Sequence, residues 1–144
     1  MKDILIKAAL LAGLAFLPAT VPAQIASAPS PEPRTVGELT YLSGGVGIDE
    51  REAMRAQMGN YNLRLKFAAV GGAYLGKVMV QIVGRGGRTL LNTESDGPWM
   101  FIKMPNGKYK LVVENDGDSQ VRNVDLSKKA VAAEIFRWKV PQTN

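Results

Sequence analysis

The stretch Tyr61-Asn62-Leu63-Arg64-Leu65-Lys66-Phe67 alternates apolar and polar side chains without a break. That period of two predicts a half-buried β-strand, with Tyr61, Leu63, Leu65 and Phe67 on the core face and Asn62, Arg64 and Lys66 outside. Residues 77–83 repeat the pattern with Val78, Val80 and Ile82 inward. Gly84-Arg85-Gly86-Gly87 then turns the chain into a hairpin partner over 88–93. After the break at Asp96-Gly97-Pro98, strands over 99–104 and 108–114 flank Pro105-Asn106-Gly107, where Pro presets the turn and Gly accepts left-handed backbone. Asp116-Gly117-Asp118 makes the next turn, and strands over 120–126 and 132–140 follow.

Working back toward the N-terminus, residues 39–42 add an edge strand with Leu39 and Tyr41 on one side. A single helix is predicted over 50–58. Asp49 is its N-cap, Glu52 completes a capping box, Ile48 stands at the staple position and Gly59 stops the helix. Ala53, Met54 and Met58 share the face that packs on something apolar. Short strands about 8 to 12 residues apart, divided by Gly, Pro, Asn and Asp turns, predict an all-β fold. The expected architecture is an antiparallel seven-stranded β-sandwich with one short N-terminal helix, and a small barrel is the competing solution.

The ends of the chain have a different composition. Lys2 and Lys7 precede an apolar run of ten residues, 8–17, and Pro18-Ala19-Thr20-Val21-Pro22-Ala23 follows. This is the layout of a secretory signal peptide over residues 1–23, with a cut expected before Gln24 and Ala26-Ser27-Ala28 as the second small-residue cut site. The run is too short to span a hydrocarbon core, which needs about 20 apolar residues. Residues 24–37, rich in Pro, Ala and Ser, read as a solvated tether. The sandwich domain is expected over 38–140 and a tail over 141–144. Removing the leader takes away Lys2, Lys7 and Asp3 and lowers the formal net charge from +5 to +4, an ordinary surface charge. The expected location is exported, periplasmic or secreted, with no transmembrane span after cleavage.

The chain contains neither Cys nor His. That excludes a thiolate nucleophile, a disulfide, an imidazole base and an N/S-ligated zinc or haem site. The fold must therefore hold through its core alone, and a domain of this size buries roughly two-thirds of its unfolded surface.

The turn pattern carries a resemblance. A hairpin, then Ser95-Asp96-Gly97-Pro98-Trp99, a strand, Met104-Pro105-Asn106-Gly107-Lys108-Tyr109 and a further strand with Gly117 behind it resemble the carboxypeptidase regulatory-like domain family. Gly44-Gly45-Val46-Gly47-Ile48-Asp49-Glu50-Arg51-Glu52 and Gly71-Gly72-Ala73-Tyr74-Leu75 also look like segments of small exported bacterial proteins with this domain. The resemblance implies a transthyretin-like or starch-binding-like sandwich and no peptidase chemistry. Its motifs are turn motifs, so they bear on fold more than on function.

Several groups of residues are candidate sites. Gly44-Gly45-Val46-Gly47 ahead of a helix has the ingredients of an anion-cradling loop, but the dinucleotide spacing fails and Asp49 and Glu50 repel an anion. Asp116, Asp118 and Asp125 are oxygen ligands without the order of a calcium loop, and they read as turn residues. Asp49, Glu50 and Glu52 are explained by the helix start rather than by acid–base work. Arg85 and Arg88 form one Arg–Gly turn, too little for a nucleic-acid tract. Tyr41, Tyr74, Trp99 and Trp138 are the aromatics that form a ligand or partner surface if their rings are exposed.

The expectation is a non-enzymatic exported binding or structural protein that meets an envelope protein or glycan. No cofactor, no metal and no nucleic acid enter it. A carbohydrate-binding module using exposed Trp or Tyr is the alternative. A His-free hydrolase using Ser with Lys, or carboxylates alone, is the residual enzymatic reading.

Overall fold

The computed structural model describes residues 30–127 and 131–141, with isolated positions 13, 20 and 22. The expected leader is otherwise outside the described residues, as are the first part of the tether, Lys128, Lys129 and most of the tail. Nine strands form: β1 (Arg34–Val36), β2 (Leu39–Gly44), β3 (Leu63–Ala69), β4 (Met79–Val83), β5 (Thr89–Glu94), β6 (Trp99–Lys103), β7 (Lys108–Asn115), β8 (Asp118–Asp125) and β9 (Ala132–Trp138). One α-helix, α1 (Ile48–Gln57), continues into a 3-10 turn at Met58–Asn60. Among the described residues no helix is long and apolar enough to cross a membrane.

The strands divide into a five-stranded sheet, β1-β2-β6-β3-β9, and a four-stranded sheet, β5-β4-β7-β8. No ladder joins the two sheets among the described residues, so the all-β expectation resolves to a two-sheet arrangement rather than a closed barrel. Side chains close one corner. Arg122 pairs with Glu134 at 2.8 Å, Gln120 Nε2 donates to the Arg137 carbonyl at 2.7 Å, and Trp138 Nε1 donates to the Asp118 carbonyl at 3.0 Å.

The strand count corrects the expected seven. β1 forms at the end of the expected tether because Gly37 takes a left-handed φ of +56 and folds Val36 back against Leu39. β2 is consequently interior rather than an edge, and it runs on to Gly44. The sheet is also not purely antiparallel. β9 enters from the four-stranded sheet and lies parallel to β3, a direction that a period-two pattern does not encode.

Between the sheets, Leu63, Leu65 and Phe67 of β3 meet Val80 and Ile82 of β4 and Leu111 and Val113 of β7 in one buried cluster. The expected alternation holds for these residues. It does not extend back to Tyr61, because β3 begins only at Leu63. Asn62 occupies a bend, where its side chain accepts from the Met104 N–H at 3.0 Å and donates to the Met104 carbonyl at 2.8 Å. Tyr61 therefore falls on the other side of the sheet, 6.2 Å from the Phe101 ring.

That other side is a second, smaller core. Trp99-Met100-Phe101-Ile102 is an unbroken apolar run in the middle of a sheet, and such a strand must be covered on both faces. Met100 and Ile102 point into the sandwich, while Trp99 and Phe101 point out and pack with Leu42, Tyr61 and Met54 of α1. Burying a side chain such as Met54 contributes about 1.5–3 kcal/mol. The helix starts two residues earlier than a capping box at Asp49 requires. Gly47 is the N-cap with no side-chain cap, and the reach-back is made by Glu50, whose Oε2 accepts the Val46 N–H at 2.9 Å. Ile48 stays exposed and makes no staple.

Candidate functional site

α1 is ten residues long and covers only the β2 and β6 side of the outer sheet face. The β3 and β9 side is left open, and the step between helix and open sheet is a cleft of about 280 Å³. Each element supplies one kind of group. From the helical segment come Arg55 and Met58, from β6 Trp99 and Phe101, from β3 Arg64 and Lys66, and from β9 Ala133, Glu134 and Ile135. The β3–β9 register sets Arg64 opposite Ala133 and Lys66 opposite Ile135. Cations on one strand thus face apolar side chains on the next.

Trp99 is the floor of this arrangement. Its ring stacks on Phe101 with centroids 5.9 Å apart, and Gly45 approaches so closely that a Cβ there would lie 3.1 Å from the indole Cγ. The Arg55 Cζ lies 5.1 Å and the Lys66 Nζ 4.8 Å from the ring centroid, within cation–π range. Arg64 donates through Nη2 to the Met58 carbonyl at 3.3 Å. Its Nε and the Trp99 Nε1 are buried without a partner among the described residues. A buried donor without an acceptor costs about 1–3 kcal/mol, so such groups call for an acceptor.

The charge balance is one-sided. Neither ion pair of the described residues involves Arg55, Arg64 or Lys66. The one carboxylate that lines the cleft, Glu134, is engaged by Arg122. Three cations around an apolar floor, with no carboxylate pairing them among the described residues, suit an anionic group.

Of the four aromatics expected to form a surface, only Tyr74 is exposed, at 56%; Tyr41, Trp99 and Trp138 keep 5%, 3% and 2%. Tyr41 and Trp138 project into the sandwich because their strand positions share the inward parity of Leu39 and Phe136. Trp99 projects outward but lies beneath helix, loop and cations. Tyr74 lies apart, with the Arg51 Cζ 5.4 Å from its ring centroid. The four rings therefore do not form one stacking platform.

The Gly44-Gly45-Val46-Gly47 loop is filled by its own helix. Beyond the Glu50 contact, Arg51 Nη1 donates to the Gly45 and Val46 carbonyls at 3.0 and 3.2 Å. Asp116 and Asp118 lie at one end of β8 and Asp125 at the other, opposite Lys108. No metal-capable group of three acidic side chains occurs among the described residues. Arg85 and Arg88 are exposed at the β4–β5 turn.

Burial raises the Tyr61 phenol above its ordinary range, and burial with the nearby Glu38 charge does the same for Tyr109. The Arg34 guanidinium is held further toward its charged form by its hydrogen bond to Tyr41 and by Asp96.

The alternation at residues 61–67 identifies Arg64 and Lys66 as outward residues. Their convergence with Arg55 is a tertiary event, and the one sequence signal for it is that Trp99, an outward aromatic, needs a cover. No protein-family model matches the chain, and no curated protein matches it.

Proposed function

We propose that this chain is an exported, non-enzymatic β-sandwich of the carboxypeptidase regulatory-like type that binds a component of the cell envelope. The observation that carries this reading is the cleft beside α1, where Arg55, Arg64 and Lys66 stand around Trp99 without carboxylate partners among the described residues. The leader-like N-terminus supports the location, and the two-sheet fold is compatible with the resemblance. A carbohydrate-binding role has the exposed Tyr74 ring in its favour, yet the two Trp rings offer no open face for a sugar.

The test is crosslinking of the tagged protein in its native envelope, followed by mass spectrometry of what co-purifies. A stoichiometric partner lost on Lys66→Glu and kept on Arg85→Glu supports the reading. Saturable turnover by the purified chain, abolished by a single polar substitution, overturns it.

A further inference from the structure

We infer that the cleft beside α1 is a binding site for an anionic amphiphile, an oxyanion (phosphate monoester or carboxylate) carried on a short apolar stem. The inference rests on the binding role proposed above and names the ligand class for the same site.

The oxyanion half follows from charge and hydrogen bonding. Lys66 and Arg55 hold their charges within 5.1 Å of the Trp99 centroid, so the quadrupole of the indole keeps both cations at the cleft. Neither has a carboxylate partner among the described residues. Arg64 spends one nitrogen on the Met58 carbonyl and leaves its buried Nε without an acceptor. A phosphate or carboxylate is the group that accepts from several N–H donors at once, and charge-assisted bonds are about twice as strong as neutral ones.

The apolar half follows from strand register. Opposite Arg64 and Lys66 stand Ala133 and Ile135. Ile135 is 44% exposed in the middle of a strand, and Met58 and Phe101 close the other wall. A head group over β3 thus leaves its stem over β9. The volume of about 280 Å³ lies just under the roughly 300–1,000 Å³ of small-ligand pockets. That admits an oxyanion with several methylenes. A pyranose fits the chemistry less well, because Trp99 has no open face and Glu134 is engaged by Arg122.

The experiment is calorimetric titration of the chain from Gln24 onward with monomeric octyl phosphate, alongside octanoate, octyl glucoside and inorganic phosphate. Octyl phosphate or octanoate is expected to bind at one site, with octyl glucoside and inorganic phosphate at least tenfold weaker. Lys66→Glu and Arg55→Glu, both at exposed positions, are expected to weaken binding tenfold or more while lowering the unfolding temperature by no more than about 4–8 °C. Ile135→Ser is expected to weaken the amphiphiles and leave inorganic phosphate unchanged, and Arg85→Glu at the distant turn to change nothing. Sedimentation with phosphatidylglycerol vesicles separates the sources of the ligand. Vesicle binding lost on Lys66→Glu identifies a membrane headgroup, and monomer binding without vesicle binding identifies a free amphiphile. Equal affinity for octyl glucoside, wild-type affinity in both charge-reversal variants, or no binding by either anionic amphiphile overturns the inference. If amphiphiles fail while envelope capture still depends on Lys66, the ligand class is wrong and the binding role stands.

Discussion

The Lys66 ammonium lies 4.8 Å from the centroid of the Trp99 indole because Lys66 pairs directly with Trp99 in the antiparallel β3–β6 register. A cation directly beside a buried ring anchors the ring and keeps the charge at the cleft. Trp99 also touches Phe101, Gly45 and the helix side chain Arg55, so it joins loop, helix and sheet. Trp99→Ala should cost about 3–5 kcal/mol, read as a lower midpoint in urea unfolding. Lys66→Gln, which removes only an exposed cation–π contact, should cost no more than about 1 kcal/mol. A larger loss for Lys66→Gln than for Trp99→Ala would show that the outer core is not held by the ring.

Gly97 sits against the backbone of Gly44, and a Cβ added there would meet the Gly44 carbonyl carbon at 2.6 Å and its Cα at 3.0 Å. Neither atom can swing away as a side chain would. Gly97→Ala should destabilise by about 1–3 kcal/mol, whereas Gly59→Ala, with open space around it, should be close to neutral. Thermal unfolding of the two variants checks the contrast.

Asn62 holds the entry to β3 against Met104 through two hydrogen bonds of 2.8 and 3.0 Å. Asn62→Ala leaves a donor and an acceptor of the buried Met104 backbone without partners, a loss of about 1–3 kcal/mol. Hydrogen exchange should accelerate at the Met104 amide before it does at the centre of β7.

The corner ion pair between Arg122 and Glu134 is partly exposed on both sides, at 40% and 27% of the side chain. Water screens it, so Glu134→Gln should cost less than about 1 kcal/mol. Phe136→Ala, two residues on and fully buried, should cost about 3–5 kcal/mol. Urea midpoints that placed the two losses in the reverse order would assign the corner to electrostatics instead of packing.

Tyr61 and Tyr109 both titrate above the ordinary phenol value in the folded chain. Between the unfolded pKa, about 10, and the higher folded value, the folded state holds more protons than the unfolded one. Stability is therefore fully present below about pH 10 and is lost as pH rises through the folded values. Tyr61→Phe should make the alkaline fall in melting temperature shallower, and a fall as steep as in the wild type would remove Tyr61 from that linkage.

The inward residues of β3 and β4 were readable from spacing because a strand alternates faces and only one face of each enters the sandwich core. Tyr61 broke the pattern because a bend at Asn62 separates it from the strand. The helix was legible to within a couple of residues, yet its cap was not: the N-cap is Gly47 rather than Asp49, so the reach-back is made by Glu50 to the Val46 N–H instead of by Glu52 to the Asp49 N–H, and the loop geometry that sets the start is not written in the spacing. The aromatic surface was the least legible feature. Side-chain type does not state parity relative to a distant sheet, so Tyr41 and Trp138 faced inward while Tyr74 alone stayed open.

The amino-acid sequence by itself determined that this is a β-rich chain with one short helix and no thiol or imidazole chemistry, because periodicity, turn residues and composition are local properties. The tertiary structure alone decided that β9 would join β3 in parallel, that β1 would leave the tether for the sheet edge, and that Arg55, Arg64 and Lys66 would gather around Trp99. Those outcomes depend on which sheet each strand joins and in what register, and sequence spacing carries no record of a contact made across the fold.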